Sequence, residues 1–236
     1  MADPQRNRND LVLAPGEYAF VLDRSKGNVN IYVGPTKTTV SDTEAPVLWD
    51  SGSSRLVETS LDRCVTPYIN APEGSYVVLS NPARSKDTSH PKGGSANSPV
   101  DLEMGRRINI AGPASFPLWP QQTAKVIGGH SLRTNQYLLV SVRNEEAARE
   151  NWKSAVVKPQ VKSAVAVPAP EGAPPVSLTS ETPTTLASIS ADKLSLGQRI
   201  IIKGTDVSFY IPPTGIEVVP DERGEFVREA VTLEQL

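Results

Sequence analysis

The residues of this 236-residue chain that first invite a search for chemistry are His90, His130, Cys64 and the closely spaced Asp101 and Glu103. A metal centre needs three or four converging ligands, and two histidines with one distant cysteine supply none at a recognisable spacing. His90 lies in DTSHPKGG, a loop composition, and His130 follows Gly-Gly just ahead of a strand pattern. Both read as solvated or hydrogen-bonded side chains. Asp101 and Glu103 stand two apart, which on a strand puts both carboxylates on one face. Glycoside chemistry needs a second, opposed carboxylate, and nothing in the sequence marks one. Cys64, in LDRCVTPY, has no histidine near it and reads as a small buried apolar residue. Gly93-Gly94 and Gly128-Gly129 lack the Gly-Lys-Ser/Thr of a phosphate loop, and calcium-type loops of alternating acids are absent. The expectation is a non-enzymatic protein with no catalytic residues, cofactor or metal.

The bulk properties narrow the partners. A formal charge of −2 leaves no electrostatic footprint for nucleic acid or an anionic membrane, and Arg106-Arg107 is a small cluster that a solvated strand edge explains. One cysteine excludes an internal disulfide framework and suits a reducing compartment. The polar start MADPQRNRND has no apolar core of a secretory signal, and no apolar run is long enough to span a bilayer. The expectation is a soluble protein of the cell interior, cytoplasmic.

What must position any site is β-structure. YAFVL (18–22), NVNIYV (28–33), SYVVL (75–79), RINIA (107–111), YLLVSV (137–142), RIIIKG (199–204) and GIEVV (215–219) alternate or form short β-branched runs bounded by turn residues. NEEAARENWKSA (144–155) is the one helix candidate. Residues from about 156 to 190 are rich in Pro, Ala, Ser, Thr and Val and carry no aromatic, the composition of a flexible tether.

Three segments share a strand centred on a tyrosine (Tyr18, Tyr76, Tyr137), and three share a second strand ending in glycine (Gly34, Gly112, Gly204). Tyrosine and glycine are 16, 36 and 67 residues apart (18 to 34, 76 to 112, 137 to 204). A constant strand pair with a growing loop accounts for this, since closure entropy rises only logarithmically with length. The glycines, followed by Pro35 and Pro113 in two copies, read as turn residues free to take φ > 0. The aromatic stretch INIAGPASFPLWP (108–120) is then a strand–turn–strand hinge. It aligns with IIIKGTDVSFYIPP so that Phe116 matches Phe209 and Trp119 faces Pro212. Trp119, Phe116 and Tyr210 are the candidate interface residues, Trp119 first because its counterparts lack a bulky ring.

On these motifs the chain resembles the N-terminal repeats of the major vault protein family. The matching residues run in order: PG-Y-x-x-VLD (15–23), VGP (33–35), AP-x-x-x-Y-x-x-x-x-NP (71–82), DLE (101–103), FPLWP-x-Q (116–122), and G-T-x-x-x-x-YIP (204–212) before IEVV (216–219). Similar repeats occur in bacterial and bacteriophage proteins, and a chain of phage origin is expected in the virion instead of the cytoplasm. The resemblance implies tandem small antiparallel β domains; with the residue patterns, which add a long Pro/Ala-rich insertion foreign to the family and at most one short helix, the expected chain is all-β. The expected layout is a disordered 1–9, repeats at 10–66, 67–128 and 129–220 (the last carrying the loop at about 156–190), and 221–236 as a tail or the start of a truncated fourth repeat. The implied function is self-assembly through stacked repeats, with copies of itself or other structural proteins, into a shell like that of a ribonucleoprotein particle, vault-like or part of a virion. The alternative is a module that binds protein or glycan through exposed aromatics.

Overall fold

The computed structural model describes residues 9–160 and 189–230. The chain divides into two units, 1–127 and 128–236. The first repeat runs through β1 (Asp10–Leu13), β2 (Glu17–Asp23), β3 (Asn28–Val33), β4 (Thr36–Thr39), β5 (Glu44–Asp50) and β6 (Arg55–Glu58). A single helical turn, α1 (Leu61–Cys64), leads to β7 (Thr66–Pro67), β8 (Ile69–Ala71), β9 (Ser75–Ser80), β10 (Ala96–Asn97), β11 (Arg107–Ala111), β12 (Ala114–Phe116) and β13 (Thr123–Gly128). Then follow β14 (His130–Ser131), β15 (Gln136–Val142), α2 (Glu145–Asn151), β16 (Val156–Pro159), β17 (Arg199–Lys203), β18 (Val207–Ile211), β19 (Ile216–Val218) and β20 (Val227–Glu229).

One five-stranded plan recurs three times. An entry strand pairs with the strand after the glycine: β1 with β4, β8 with β12, β14 with β18. The tyrosine strand lies between the glycine strand and a fifth strand, in the orders β3-β2-β5, β11-β9-β13 and β17-β15-β19. The register is the same in each copy. Tyr18 faces Val33, Tyr76 faces Ala111 and Tyr137 faces Lys203, so the tyrosine always opposes the residue before the glycine. The glycine N–H then donates to the carbonyl of the residue before the tyrosine: Gly34 to Glu17, Gly112 to Ser75 and Gly204 to Gln136, each at 2.8 Å.

These glycines are not needed for a left-handed backbone, which corrects the sequence expectation. Their φ values are ordinary, and the need is for space. A Cβ on Gly34, Gly112 or Gly204 would overlap the carbonyl oxygen of Ala14, Pro72 or Arg133 respectively, in each case the residue four before the tyrosine. Positive φ falls instead at Gly16, Gly74 and Gly215, inside the tight turns that lead into β2, β9 and β19. The Gly34–Pro35 and Gly112–Pro113 peptide bonds are cis.

Within the first unit, β2 is buried on both faces. Ala19 and Val21 pack with Leu11, Leu13, Val40 and Cys64, while Tyr18 and Phe20 join Val77, Leu79, Phe116, Leu118 and Trp119 of the second repeat in one core. Two elements of the second repeat also pair with the first repeat's sheet: β7 with β2 and β10 with β3. In the second unit, Leu138, Val140, Ile200, Ile202, Val207 and Tyr210 form a single core closed by Ala148 of α2 and Trp152 of the 3-10 turn that follows it.

The all-β architecture holds, with two refinements. Besides α2, which Asn144 caps by accepting the Ala147 N–H at 3.0 Å, α1 adds one helical turn. The segment assigned to a tether from about residue 156 starts as a strand: β16 pairs with β18, with a register shift at Pro159 where the ladder loses a donor. Residues 161–188 of that segment lie outside the described residues, as do 1–8 and 231–236. Part of the expected tail, β20, pairs with β15 through Tyr137 and Arg228. The period-two signal there is only three residues long, too short to stand out in sequence.

Two outcomes follow from this packing. Gly34→Ala, Gly112→Ala or Gly204→Ala lowers stability by more than about 2 kcal/mol in chemical denaturation. Gly128→Ala, whose added methyl meets nothing, stays within about 0.5 kcal/mol. His130 is 4% exposed, and burial pushes its imidazole pKa down to about 4. The neutral form is thus favoured by folding, so its contribution is complete above the unfolded value near 6.5 and is lost as pH falls towards about 4. Hydrogen exchange of β15 amides, corrected for intrinsic rates, should show protection reduced by about 3 kcal/mol between those limits.

Candidate functional site

The sequence-nominated residues divide cleanly by location. Gly34, Gly112 and Gly204 sit at the corner of each repeat, as above. The three aromatics do not form a surface: Phe116 is 5% exposed, Trp119 3% and Tyr210 0%. Burying rings of this size contributes large apolar area, so they are core members. This overturns an exposed aromatic patch. The strand registers also correct the alignment. Phe116 faces Ile69 and Tyr210 faces His130, the equivalent entry-strand position, so Phe116 corresponds to Tyr210 and not to Phe209. The turns confirm the shift: Gln122 N–H donates to Trp119 O at 3.1 Å, and Ile216 N–H to Pro213 O at 3.2 Å. Trp119 therefore matches Pro213 and, in the first repeat, Ser41, whose carbonyl accepts the Glu44 N–H.

What Trp119 does is join repeats. Its ring lies in the core shared by Tyr18, Phe20 and Phe116, and its indole N–H donates to Thr88 O at 2.9 Å. Tyr18 adds a hydrogen bond to the Leu118 backbone and a ring contact with Tyr68 at 6.3 Å, and burial raises its phenol to about 12. The long loop of the second repeat is held over this region. His90 stacks on Phe116 with centroids 3.9 Å apart, and burial lowers its pKa while a hydrogen bond to the Pro117 carbonyl opposes that. The candidate site is thus the contact between the first two repeats, clasped by the 82–105 loop.

Turn chemistry fixes the geometry around it. At Ala14–Glu17, Ser41–Glu44, Trp119–Gln122, Arg133–Gln136 and Ser195–Gln198 the fourth residue is Glu or Gln, and its side chain accepts the N–H of the first at 2.8–3.0 Å. Gln122, 3% exposed, also donates to Asn81 O at 3.0 Å, and Asn81 in turn donates to Gln121 O at 2.7 Å. Beside them lies an open groove of about 640 Å³ lined by Trp49, Ser54, Arg55, Asn81, Met104 and Gln121, among others. Ser54, Asn81 and Gln121, with φ of 53°, 57° and 73°, are the non-glycine residues of positive φ among those described, and all three line it. Arg55 is the single ionisable residue on its walls, so it holds no acid–base pair.

The other candidates are not brought together. Cys64 is fully buried, its thiol donates to Leu61 O at 3.1 Å, and burial raises its pKa to about 11, far from a thiolate nucleophile. Glu103 is paired with Arg106 at 2.6 Å, while the Asp101 backbone carbonyl takes the Arg84 N–H. Among the described residues no three His, Cys, Asp or Glu side chains could hold a metal ion, and no helix is long and apolar enough to cross a membrane. The sequence reading missed Thr88, His90 and Gln122 as anchors of the clasp. The recurring Glu or Gln three residues into a turn was the signal available for Gln122. No protein-family model matches the chain, and no curated protein matches it.

Trp119→Phe keeps a ring in the core and removes the bond to Thr88. Stability should fall by roughly 1–2 kcal/mol, with cleavage of the 82–105 loop by protease accelerating more than cleavage elsewhere. Uniform acceleration along the chain would show that the indole bond does not secure the loop.

Proposed function

We propose that this chain is a non-enzymatic structural protein of the vault-repeat type, whose copies associate through stacked β repeats into a larger shell or particle. The observation that carries the reading is the single hydrophobic core that the first and second repeats share, centred on Tyr18, Phe20, Phe116 and Trp119. A repeat of this size buries little area alone and gains by covering one face with a neighbour. The same five-stranded plan appears a third time, so the module is a repeated one. A vault-like shell and a virion component are the two settings this build suits, with copies of itself or other structural proteins as partners. The alternative of a binding module based on Phe116, Trp119 and Tyr210 loses its basis, because all three are buried.

Light scattering after size separation tests the proposal. Species well above the 25.4 kDa chain, growing with concentration, are the expected result. A single 25.4 kDa species at every concentration overturns it.

A further inference from the structure

In β17 the bonds from Gly204 N–H to Gln136 O and from Val142 N–H to Gln198 O set the ladder phase. With the register Leu138↔Ile202 and Val140↔Ile200, these two isoleucines point their main-chain groups at β15. The N–H and C=O of Arg199 and Ile201 and the N–H of Lys203 therefore point away, along an edge that no strand among the described residues covers, while the Lys203 carbonyl accepts the Asp206 N–H at 3.1 Å. The equivalent edge in the first repeat is covered. Register places Val29, Ile31 and Val33 where the third repeat has Arg199, Ile201 and Lys203. There Val33 N–H donates to Ser95 O, Val33 O accepts Gly94 N–H at 2.9 Å, and Ile31 O accepts the Asn97 side-chain Nδ2 at 3.3 Å, as β10 lies alongside. The fold thus shows within itself what an extended segment does at this position.

We propose that the free edge of β17 is a docking site for an extended segment of a partner protein in which acidic residues stand two positions either side of an apolar one. Residues opposite Arg199, Ile201 and Lys203 on an added strand are spaced by two, so their side chains share one face. Arg199 is exposed and Lys203 half-exposed, neither has an ion-pair partner among the described residues, and Ile201 between them is 44% exposed. A second copy of the same edge is a poor occupant. Antiparallel self-pairing about Ile201 would set Arg199 opposite Lys203, and like charges directly opposed are destabilising. Acidic flanks turn both contacts favourable, while the central apolar residue covers Ile201.

The test uses the full chain and two acetylated, amidated peptides, TTETVTETT and TTKTVTKTT. TTETVTETT should protect the Arg199, Ile201 and Lys203 amides from exchange and shift their resonances, and TTKTVTKTT should bind at least about tenfold more weakly. The double variant Arg199→Glu with Lys203→Glu should invert that preference, an inversion that misfolding cannot imitate. Ile201→Pro removes an outward N–H without touching a bond to β15 and should weaken TTETVTETT while β15 amides stay protected. Absence of protection at the three amides, or equal binding of both peptides, overturns the proposal. So does protection of these amides that rises with protein concentration alone, which would assign the edge to a second copy.

Discussion

The close approach of a bare glycine backbone to a carbonyl is the constraint on which each repeat rests. At Gly34, Gly112 and Gly204 the chain leaves one sheet and enters another, and it does so directly against the turn that begins the repeat. With no side chain there, the glycine N–H reaches the residue before the tyrosine, and the two sheets meet at a fixed corner. The tyrosine strand is thereby locked in register with its partner. The loop between them is left out of the constraint, which is why its length varies so widely among the three copies.

That freedom is used differently in each copy. The short DRSKGN turn of the first repeat is organised by Asp23, whose carboxylate accepts the Ser25 hydroxyl and the Ser25 and Lys26 N–H groups; these bonds hold its pKa below the usual carboxylate range. The second loop is long enough to return to the preceding repeat, stack His90 on Phe116 and donate a strand to β3. In the third, α2 and its following 3-10 turn seat Ala148 and Trp152 on the core, and the Arg149 guanidinium holds the Leu194 carbonyl. A loop that began as an insertion thus supplies cohesion in at least the first unit.

Most of the strand plan was legible because RINIA alternates, YAFVL, SYVVL and YLLVSV are short apolar runs bounded by turn residues, and the tyrosine and glycine landmarks recur in the same order in all three copies. The meaning of the landmarks was less legible. Glycine after a strand suggests a positive φ, yet a steric demand from a residue twenty or more positions away leaves no local trace. Phe116 and Phe209 look equivalent by eye, but the third repeat carries two extra residues after Gly204, and only the ladder reveals that Tyr210 takes the buried place. β10, two residues long, owes its existence to an edge supplied by another repeat. Trp119 illustrates the remaining difficulty: a large ring beside prolines reads equally as surface or core until its neighbours are known.

Because β10 completes a sheet whose other strands end at Pro67, the first repeat is topologically open until the chain has extended past Asn97. Its inner face, with Tyr18 and Phe20, waits still longer for Phe116 and Trp119. The first two repeats therefore share a core and a sheet that close only through contacts distant in sequence, unlike a solenoid in which each module is complete within its own stretch of chain. During synthesis the nascent first repeat carries an uncovered apolar face over some sixty residues of further elongation, from Glu58 to Trp119. That interval, more than the stability of the finished molecule, is where this architecture is most exposed to premature association.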